Sequence, residues 1–140
     1  MKRFIITTIM GFLAIGAGAL AEVDWGHDYD AALVTAKKDK KLVMVDLYTD
    51  WCGWCKKLNK DTYSDKDVAA KLAKDFVAVK VNPEKSPRNA KLSRDFGTTG
   101  YPHIVFVDAD GKKVSEIDGY LPAAQFLERL NKISDKATKK

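Results

Sequence analysis

The chain has 140 residues, of which 46% are hydrophobic and 31% are charged, and its formal net charge at pH 7 is +5. This length and composition fit one folded domain, and they exclude a multidomain machine, a disordered chain and a collagen-like repeat. The two cysteines, Cys52 and Cys55, are too few for a disulfide-rich scaffold and close too short a loop to add much stability. We therefore expect the two cysteines to take part in a chemical reaction.

The N-terminal segment has the composition of a secretory signal peptide, which we assign to residues 1–21. Two basic residues precede an uncharged run that ends in small residues, and we expect cleavage after Ala21. An uncleaved anchor in the inner membrane is the alternative, because this run is just long enough to span a bilayer. A leader of this kind directs export in bacteria, so the expected mature domain, residues 22–140, is periplasmic.

Cleavage removes two positive charges and no negative charge, which leaves a mild positive excess. Lysines cluster at residues 37–41 and again in the tail, without the interleaved aromatic residues of a nucleic-acid-binding surface. We interpret them as solvated helix ends and as a disordered tail from about residue 135. The sequence predicts a monomer without a nucleic-acid partner.

Hydrophobic periodicity divides the mature chain into alternating helices and strands. A helical pattern at residues 29–38 precedes a nearly continuous apolar run at residues 42–48, which is typical of a central strand buried on both faces. Three elements are predicted next: a helix from Cys52 to about Lys60, a helix capped by residues 64–67, and a strand at 76–81. A helix at 87–96 then stops at Gly97. Two strands at 104–107 and 113–117 are joined by a turn at 108–111, and Pro122 opens the last helix. This order predicts an α/β fold with helices on both faces of a mixed sheet of four to five strands.

The two cysteines stand three residues apart where the first strong strand meets its helix. At this spacing both sulfurs lie on one side of a helical turn, close enough to form a disulfide. Cys52 faces the positive end of the helix dipole, so we expect it to be the more exposed sulfur and the attacking thiolate. Cys55 is then the residue that resolves a mixed disulfide.

Other functions of a Cys-x-x-Cys pair fit this sequence less well. Zinc needs four ligands, and His27 and His103 do not stand at the spacing of a zinc finger. A c-type haem needs histidine directly after the second cysteine, where this chain has Lys56. A purely structural disulfide adds little stability across so short a loop. We expect no metal and no other cofactor, and we interpret His103 as a surface histidine.

The residues around the cysteines resemble the active-site strand and helix of the thioredoxin superfamily. The similar stretch is residues 43–56, VMVDLYTDWCGWCK. Residues 99–102, TGYP, are similar to the cis-proline loop of that family, Lys80 stands where its second strand carries a lysine, and Gly119 matches a glycine beside the site. The resemblance implies a thioredoxin fold and thiol:disulfide exchange.

The similarity to thioredoxins covers residues 23–133, nearly the whole mature chain. Within the superfamily, residues 51–72 look more like exported thioredoxin-like domains, including the C-terminal domain of the transmembrane disulfide reductase DsbD, than like cytosolic thioredoxin. One departure is the dipeptide Gly53-Trp54 between the cysteines, where cytosolic thioredoxins have Gly-Pro.

Asp46 is the one carboxylate in the apolar run and lies six residues before Cys52. Burial raises the pKa of a carboxyl group, so we expect Asp46 to hold a proton near neutral pH and to exchange it with Cys55. The alternative is a structural ion pair with Lys80, which would also tune the titration of Asp46.

Five residues are predicted to bind substrate. Trp51 and Trp54 fit no core stripe of a helix, so we expect them to be exposed around the sulfurs as a hydrophobic surface, together with Tyr101. A cis Pro102 presents backbone on which an extended substrate chain can pair as an added strand; an ordinary trans turn is the alternative. The resemblance adds Gly119 to this set.

Together these residues predict a periplasmic thiol:disulfide oxidoreductase that reduces protein disulfides. Its expected partners are disulfide-containing or dithiol proteins, together with a membrane protein that recycles the active site, because the periplasm has no glutathione-like reducing buffer. A disulfide oxidase or isomerase of the same fold is one alternative. A redox-gated binding or chaperone module is the other.

Overall fold

The computed structural model describes residues 22–139, so the predicted signal segment lies outside the described residues. The elements are β1 (Trp25–Gly26), α1 (Tyr29–Asp39), β2 (Leu42–Leu47), α2 (Gly53–Asp61), α3 (Lys66–Asp75), β3 (Phe76–Val81), α4 (Pro87–Asp95), β4 (His103–Val107), β5 (Lys113–Asp118) and α5 (Ala123–Thr138). In this part of the chain, no helix combines the length and apolar character needed to cross a membrane.

The strands form one mixed sheet in the order β1-β3-β2-β4-β5. β2 pairs in parallel with β3 and antiparallel with β4, which makes it the central strand. Every residue of β2 after Leu42 is buried, as the apolar run predicts. The structure confirms the predicted α/β fold and its mixed sheet.

Side chains of β2 alternate between the two faces of the sheet, because a strand has a period of two residues. Val43, Val45 and Leu47 belong to the hydrophobic cluster beneath α1 and α4. Met44 belongs to the cluster beneath α2, α3 and α5. Asp46 shares the parity of Met44, so its carboxylate faces the helical layer that includes α2.

Side-chain caps determine where the helices begin. Asp28, Asp65 and Ser86 each precede a helix and accept a hydrogen bond from a backbone N–H of its first turn. The cap predicted at residues 64–67 is therefore confirmed as Asp65. It separates α2 from α3, so the chain between β2 and β3 forms two helices.

The structure differs from the sequence predictions near both ends of the described chain. β1 is not predicted, because two residues carry no periodicity; it forms by pairing Trp25 with β3. The predicted disordered tail is wrong, since α5 continues to Thr138. Ile133 is buried, and the Thr138 hydroxyl donates a hydrogen bond to the Ser134 carbonyl. The helix therefore continues past its last buried residue, Ile133.

Candidate active site

Cys52 and Cys55 lie at the first turn of α2, after the short segment that follows β2. Cys52 is the N-cap residue of this helix, and its sulfur is joined to that of Cys55 in a disulfide. The two Cα atoms are 5.3 Å apart, a normal separation for such a bond. The predicted disulfide-forming pair is confirmed.

The Cys52 sulfur occupies the position that favours negative charge. It accepts a hydrogen bond of 3.1 Å from the Cys55 amide, and it faces the positive end of the helix dipole. The expected difference in exposure is wrong for the disulfide state, because each cysteine is 4% exposed. In the disulfide state the position at the start of the helix, and not exposure, distinguishes Cys52 from Cys55.

Asp46 is 1% exposed and forms an ion pair with Lys80, its neighbour in the parallel register of β2 and β3. Lys80 Nζ donates to Asp46 Oδ2 at 2.7 Å. Burial raises the pKa of Asp46, and the Lys80 charge opposes that rise to a smaller extent. Among the described residues, Oδ1 has no hydrogen-bond partner. Asp46 therefore both pairs with Lys80 and has a raised pKa, so the two features that were predicted as alternatives are present together.

Lys80 also connects the buried carboxylate to the active-site helix. Its Nζ donates a second hydrogen bond, of 2.9 Å, to Asn59 Oδ1 on α2. Asn59 follows Cys55 by four residues, so the two side chains share one face of the helix. Lys80 therefore links Asp46 to α2 one helical turn beyond Cys55.

Three aromatic rings surround the Lys80 ammonium. The ring centroids of Trp25, Tyr48 and Tyr63 lie 4.5, 5.1 and 5.2 Å from Nζ, which stabilises the charge by cation–π attraction. Burial and the neighbouring Asp46 charge raise the pKa of Tyr63, so its hydroxyl stays protonated. The sequence does not predict this arrangement, because the three rings come from separate segments of the chain.

An aromatic rim, formed by Trp51, Trp54, Tyr101 and Tyr120, flanks the cysteine pair. Trp51 and Trp54 are 67% and 60% exposed, as predicted. The Trp51 ring packs edge-on against Tyr101, and the Trp54 ring packs against Tyr120, with centroid distances of 6.1 and 5.7 Å. Tyr120 is not among the residues predicted from the sequence, although its place directly after Gly119 is a usable signal.

The loop before β4 is tied to the residue that follows β5. The Tyr101–Pro102 peptide bond is cis, and the Pro102 carbonyl accepts a hydrogen bond of 2.9 Å from the Gly119 amide. Gly119 has a φ of 77°, a conformation that favours glycine. The structure thus brings together the two segments that the resemblance places beside the site.

His103 is 2% exposed, so the expected surface position is wrong. Its burial follows from the place of β4 between β2 and β5. Both ring nitrogens have hydrogen-bonding partners within the protein. Within residues 22–139, no group of three or more His, Cys, Asp or Glu side chains is arranged to bind a metal ion.

The fold places a disulfide-forming cysteine pair at the start of a helix and a buried carboxylate in the strand before it. This is the arrangement of a thiol:disulfide oxidoreductase. The sequence also gives the family. Residues 29–134 match the thioredoxin-like domain, and the chain belongs to this family.

The known relatives agree with this assignment. The chain is 41% identical over 102 residues to the thiol:disulfide interchange protein DsbD of Actinobacillus pleuropneumoniae serotype 5b (strain L20); the match covers 71% of this chain and 17% of DsbD. The chain thus spans about a sixth of the length of this relative. The predicted resemblance to DsbD is confirmed.

Solved structures give the same fold. A thioredoxin from Thermus thermophilus has 28% identity and a TM-score of 0.74, with 83% of this chain and 90% of that chain covered. The oxidised C-terminal domain of Neisseria meningitidis DsbD has 26% identity and a TM-score of 0.61, with coverage of 73% and 89%. The predicted thioredoxin fold is confirmed.

Proposed function

We propose that the protein is a periplasmic reductant of protein disulfides. The Cys52 thiolate attacks one sulfur of a substrate disulfide, and the other substrate sulfur leaves as a thiolate that takes up a proton. Cys55 then attacks Cys52 Sγ, which forms the enzyme disulfide and releases the first substrate sulfur. Two electrons pass from the enzyme to the substrate.

Asp46 is the proposed proton acceptor for Cys55. The Cys55 side chain lies on the buried face of α2, so its thiol has to lose a proton where little water is available. Burial raises the pKa of the Asp46 carboxyl, so its carboxylate is a stronger base than an ordinary one and is suited to accept a proton. Lys80 acts as a positioning residue, because its two hydrogen bonds hold Asp46 beneath α2.

The aromatic rim and the loop before β4 are the proposed binding surface for substrate. The Trp51 and Trp54 rings are exposed and provide apolar contact area beside the reacting sulfurs, whereas the two tyrosine rings of the rim are half-buried. An extended substrate chain pairs with the backbone beside Tyr101 and Pro102, and Gly119 holds that backbone in place through its hydrogen bond.

The hydrogen bonding at Cys52 supports the reductive direction. Among the described residues, the Cys55 amide supplies the one hydrogen bond to Cys52 Sγ. Strong dithiol oxidants depend on a highly stabilised reduced form, which needs more favourable contacts to the thiolate. We propose that the Cys52 thiolate of the reduced form keeps this one amide donor, so that it is only modestly stabilised and passes electrons to substrate.

A membrane redox protein is the proposed source of electrons. Each turnover oxidises the cysteine pair, and the periplasm contains no glutathione-like reducing buffer to reverse this. The predicted signal segment delivers the domain to the compartment where such a partner is accessible. We propose that the domain acts there as a monomer.

The reduction potential tests the proposed direction. We expect a value near that of thioredoxin, about −270 mV, when the mature chain is equilibrated with a series of thiol buffers. Trp51 and Trp54 flank the disulfide, so tryptophan fluorescence follows the equilibrium. A value near −120 mV, typical of a strong oxidant, would contradict the reductive role and favour the oxidase alternative.

Trp51→Ala and Trp54→Ala are each expected to raise the KM for reduction of insulin by about tenfold, the usual effect of truncating an aromatic anchor. Val34→Ala is the matched control, because Val34 is 71% exposed on α1 but lies outside the rim. Initial rates at varied insulin concentration measure the effect. An unchanged KM in both tryptophan variants would exclude the rim from substrate binding.

A further inference from the structure

The buried His103 ring joins two segments that are separate in sequence. Its Nδ1 lies 2.9 Å from Thr98 Oγ1, at the start of the loop that leads to Tyr101 and Pro102. Its Nε2 lies 2.9 Å from Glu116 Oε2 on β5. The imidazole therefore bridges the loop and the outer strand of the sheet.

The network assigns the role of each ring nitrogen. Nε2 faces the carboxylates of Glu116 and Asp118, the second at 3.6 Å, so it carries a proton and donates. Hydrogen bonds from Lys113 and then His103 lower the pKa of Glu116, which keeps this acceptor ionised. In the neutral ring, Nδ1 accepts the hydrogen bond that the Thr98 hydroxyl donates.

The loop before β4 is thus fixed at both ends. Thr98 is held by His103, and the Pro102 carbonyl is held by the Gly119 amide. The residues between these anchors include Tyr101, which contributes to the aromatic rim. The Thr98 amide also donates to the Ser93 carbonyl, so the hydroxyl contact to His103 fixes the orientation of the end of the segment that leads to Tyr101.

We propose that His103 is a positioning residue for substrate binding, because its two hydrogen bonds hold residues 99–102 in the binding conformation. This inference rests on the proposed function, in which that segment binds the substrate chain. Without the bridge, the loop populates other conformations, and apparent affinity falls with the fraction that can bind. The KM for protein substrates then rises, whereas the chemistry of Cys52 and Cys55 is unchanged.

The test is a matched pair of substitutions at Thr98 in the mature chain. Thr98→Val keeps the shape of the side chain and removes the hydroxyl, whereas Thr98→Ser keeps the hydroxyl. We expect Thr98→Val to raise the KM for insulin about fivefold, the equilibrium effect of one hydrogen bond. We expect kcat to stay within about twofold, and Thr98→Ser to restore the wild-type KM.

A small aromatic disulfide, 5,5′-dithiobis(2-nitrobenzoate), provides the second readout, since it has no peptide backbone to pair with the loop. Its reaction rate with both reduced variants should equal that of the wild type. If Thr98→Val does not fold, Glu116→Ala breaks the other end of the bridge at a half-exposed side chain and should give the same rise in KM.

Equal KM values for Thr98→Val and Thr98→Ser would overturn the inference. So would parallel losses with insulin and with the small disulfide, because these indicate a general loss of structure. A wild-type chain that fails to reduce insulin contradicts the proposed function itself, and the inference with it. If the wild-type chain reduces insulin and the Thr98 and Glu116 variants keep its KM, only the inference is contradicted.

Discussion

Cys55→Ser is expected to accumulate a mixed disulfide with substrate proteins, whereas Cys52→Ser is expected to trap none. The serine variant at position 55 can still attack through the Cys52 thiolate but has no second thiol to release the product. Insulin turnover should fall by about a thousandfold or more in each variant, as is usual when a reacting nucleophile is removed. Mass spectrometry under non-reducing conditions identifies the trapped adduct.

The double variant, Cys52→Ser with Cys55→Ser, is the control for non-covalent association. Its adduct signal should equal that of Cys52→Ser. Equal trapping by the two single variants would contradict the order of attack, because it would mean that either sulfur reaches the substrate. The distinction matters, since the disulfide state exposes the two cysteines to the same extent.

Asp46→Asn is expected to slow resolution of the mixed disulfide by about a hundredfold at neutral pH, the lower range for loss of a general base. Asparagine keeps the shape of the side chain but accepts no proton from Cys55. The rate should also lose the pH dependence that the Asp46 carboxyl imposes. Rapid-mixing kinetics between pH 5 and pH 9 measure both effects. If the variant keeps the pH profile of the wild type, Asp46 has a structural role only.

The same substitution has a pH-dependent effect on stability. The pKa of Asp46 is raised in the folded state, so the unfolded chain loses this proton first. The free energy of unfolding therefore falls as pH rises from the ordinary aspartate pKa, about 3.9, to the raised folded value, and stays lower above it. The asparagine side chain cannot ionise, so the stability of the variant relative to the wild type should increase with pH across this window.

Denaturant titrations of the oxidised proteins measure this difference. Asp110→Asn is the matched control, because the Asp110 carboxylate is exposed. The control should show little change in relative stability over the same pH range. A relative stability of Asp46→Asn that does not vary with pH would contradict the dominance of burial over the Lys80 ion pair.

The sequence predicts the centre of the fold well because the signals there are local. The apolar run of β2 is long enough to identify a buried strand, and the spacing of Cys52 and Cys55 places both sulfurs on one helical turn. The lone Asp46 within that run predicts a buried carboxylate. Each of these features depends on neighbouring residues in the chain.

Features that depend on tertiary contacts could not be predicted in this way. β1 has two residues and exists through its pairing with β3. His103 is buried because β4 lies between β2 and β5 in the sheet, and no local sequence pattern indicates that position. The rings around Lys80 come from β1 and from the chain that follows β2 and α2, so only the folded structure brings them together.

Catalytic turnover of insulin disulfides by the mature chain, with dithiothreitol as electron source, tests the proposed redox chemistry most directly. The cysteine pair should reduce many insulin molecules per protein molecule, and Cys52→Ser should abolish this activity. Binding of insulin without turnover would contradict enzyme function and favour a redox-gated binding module. Full activity in Cys52→Ser would contradict the assignment of the attacking sulfur.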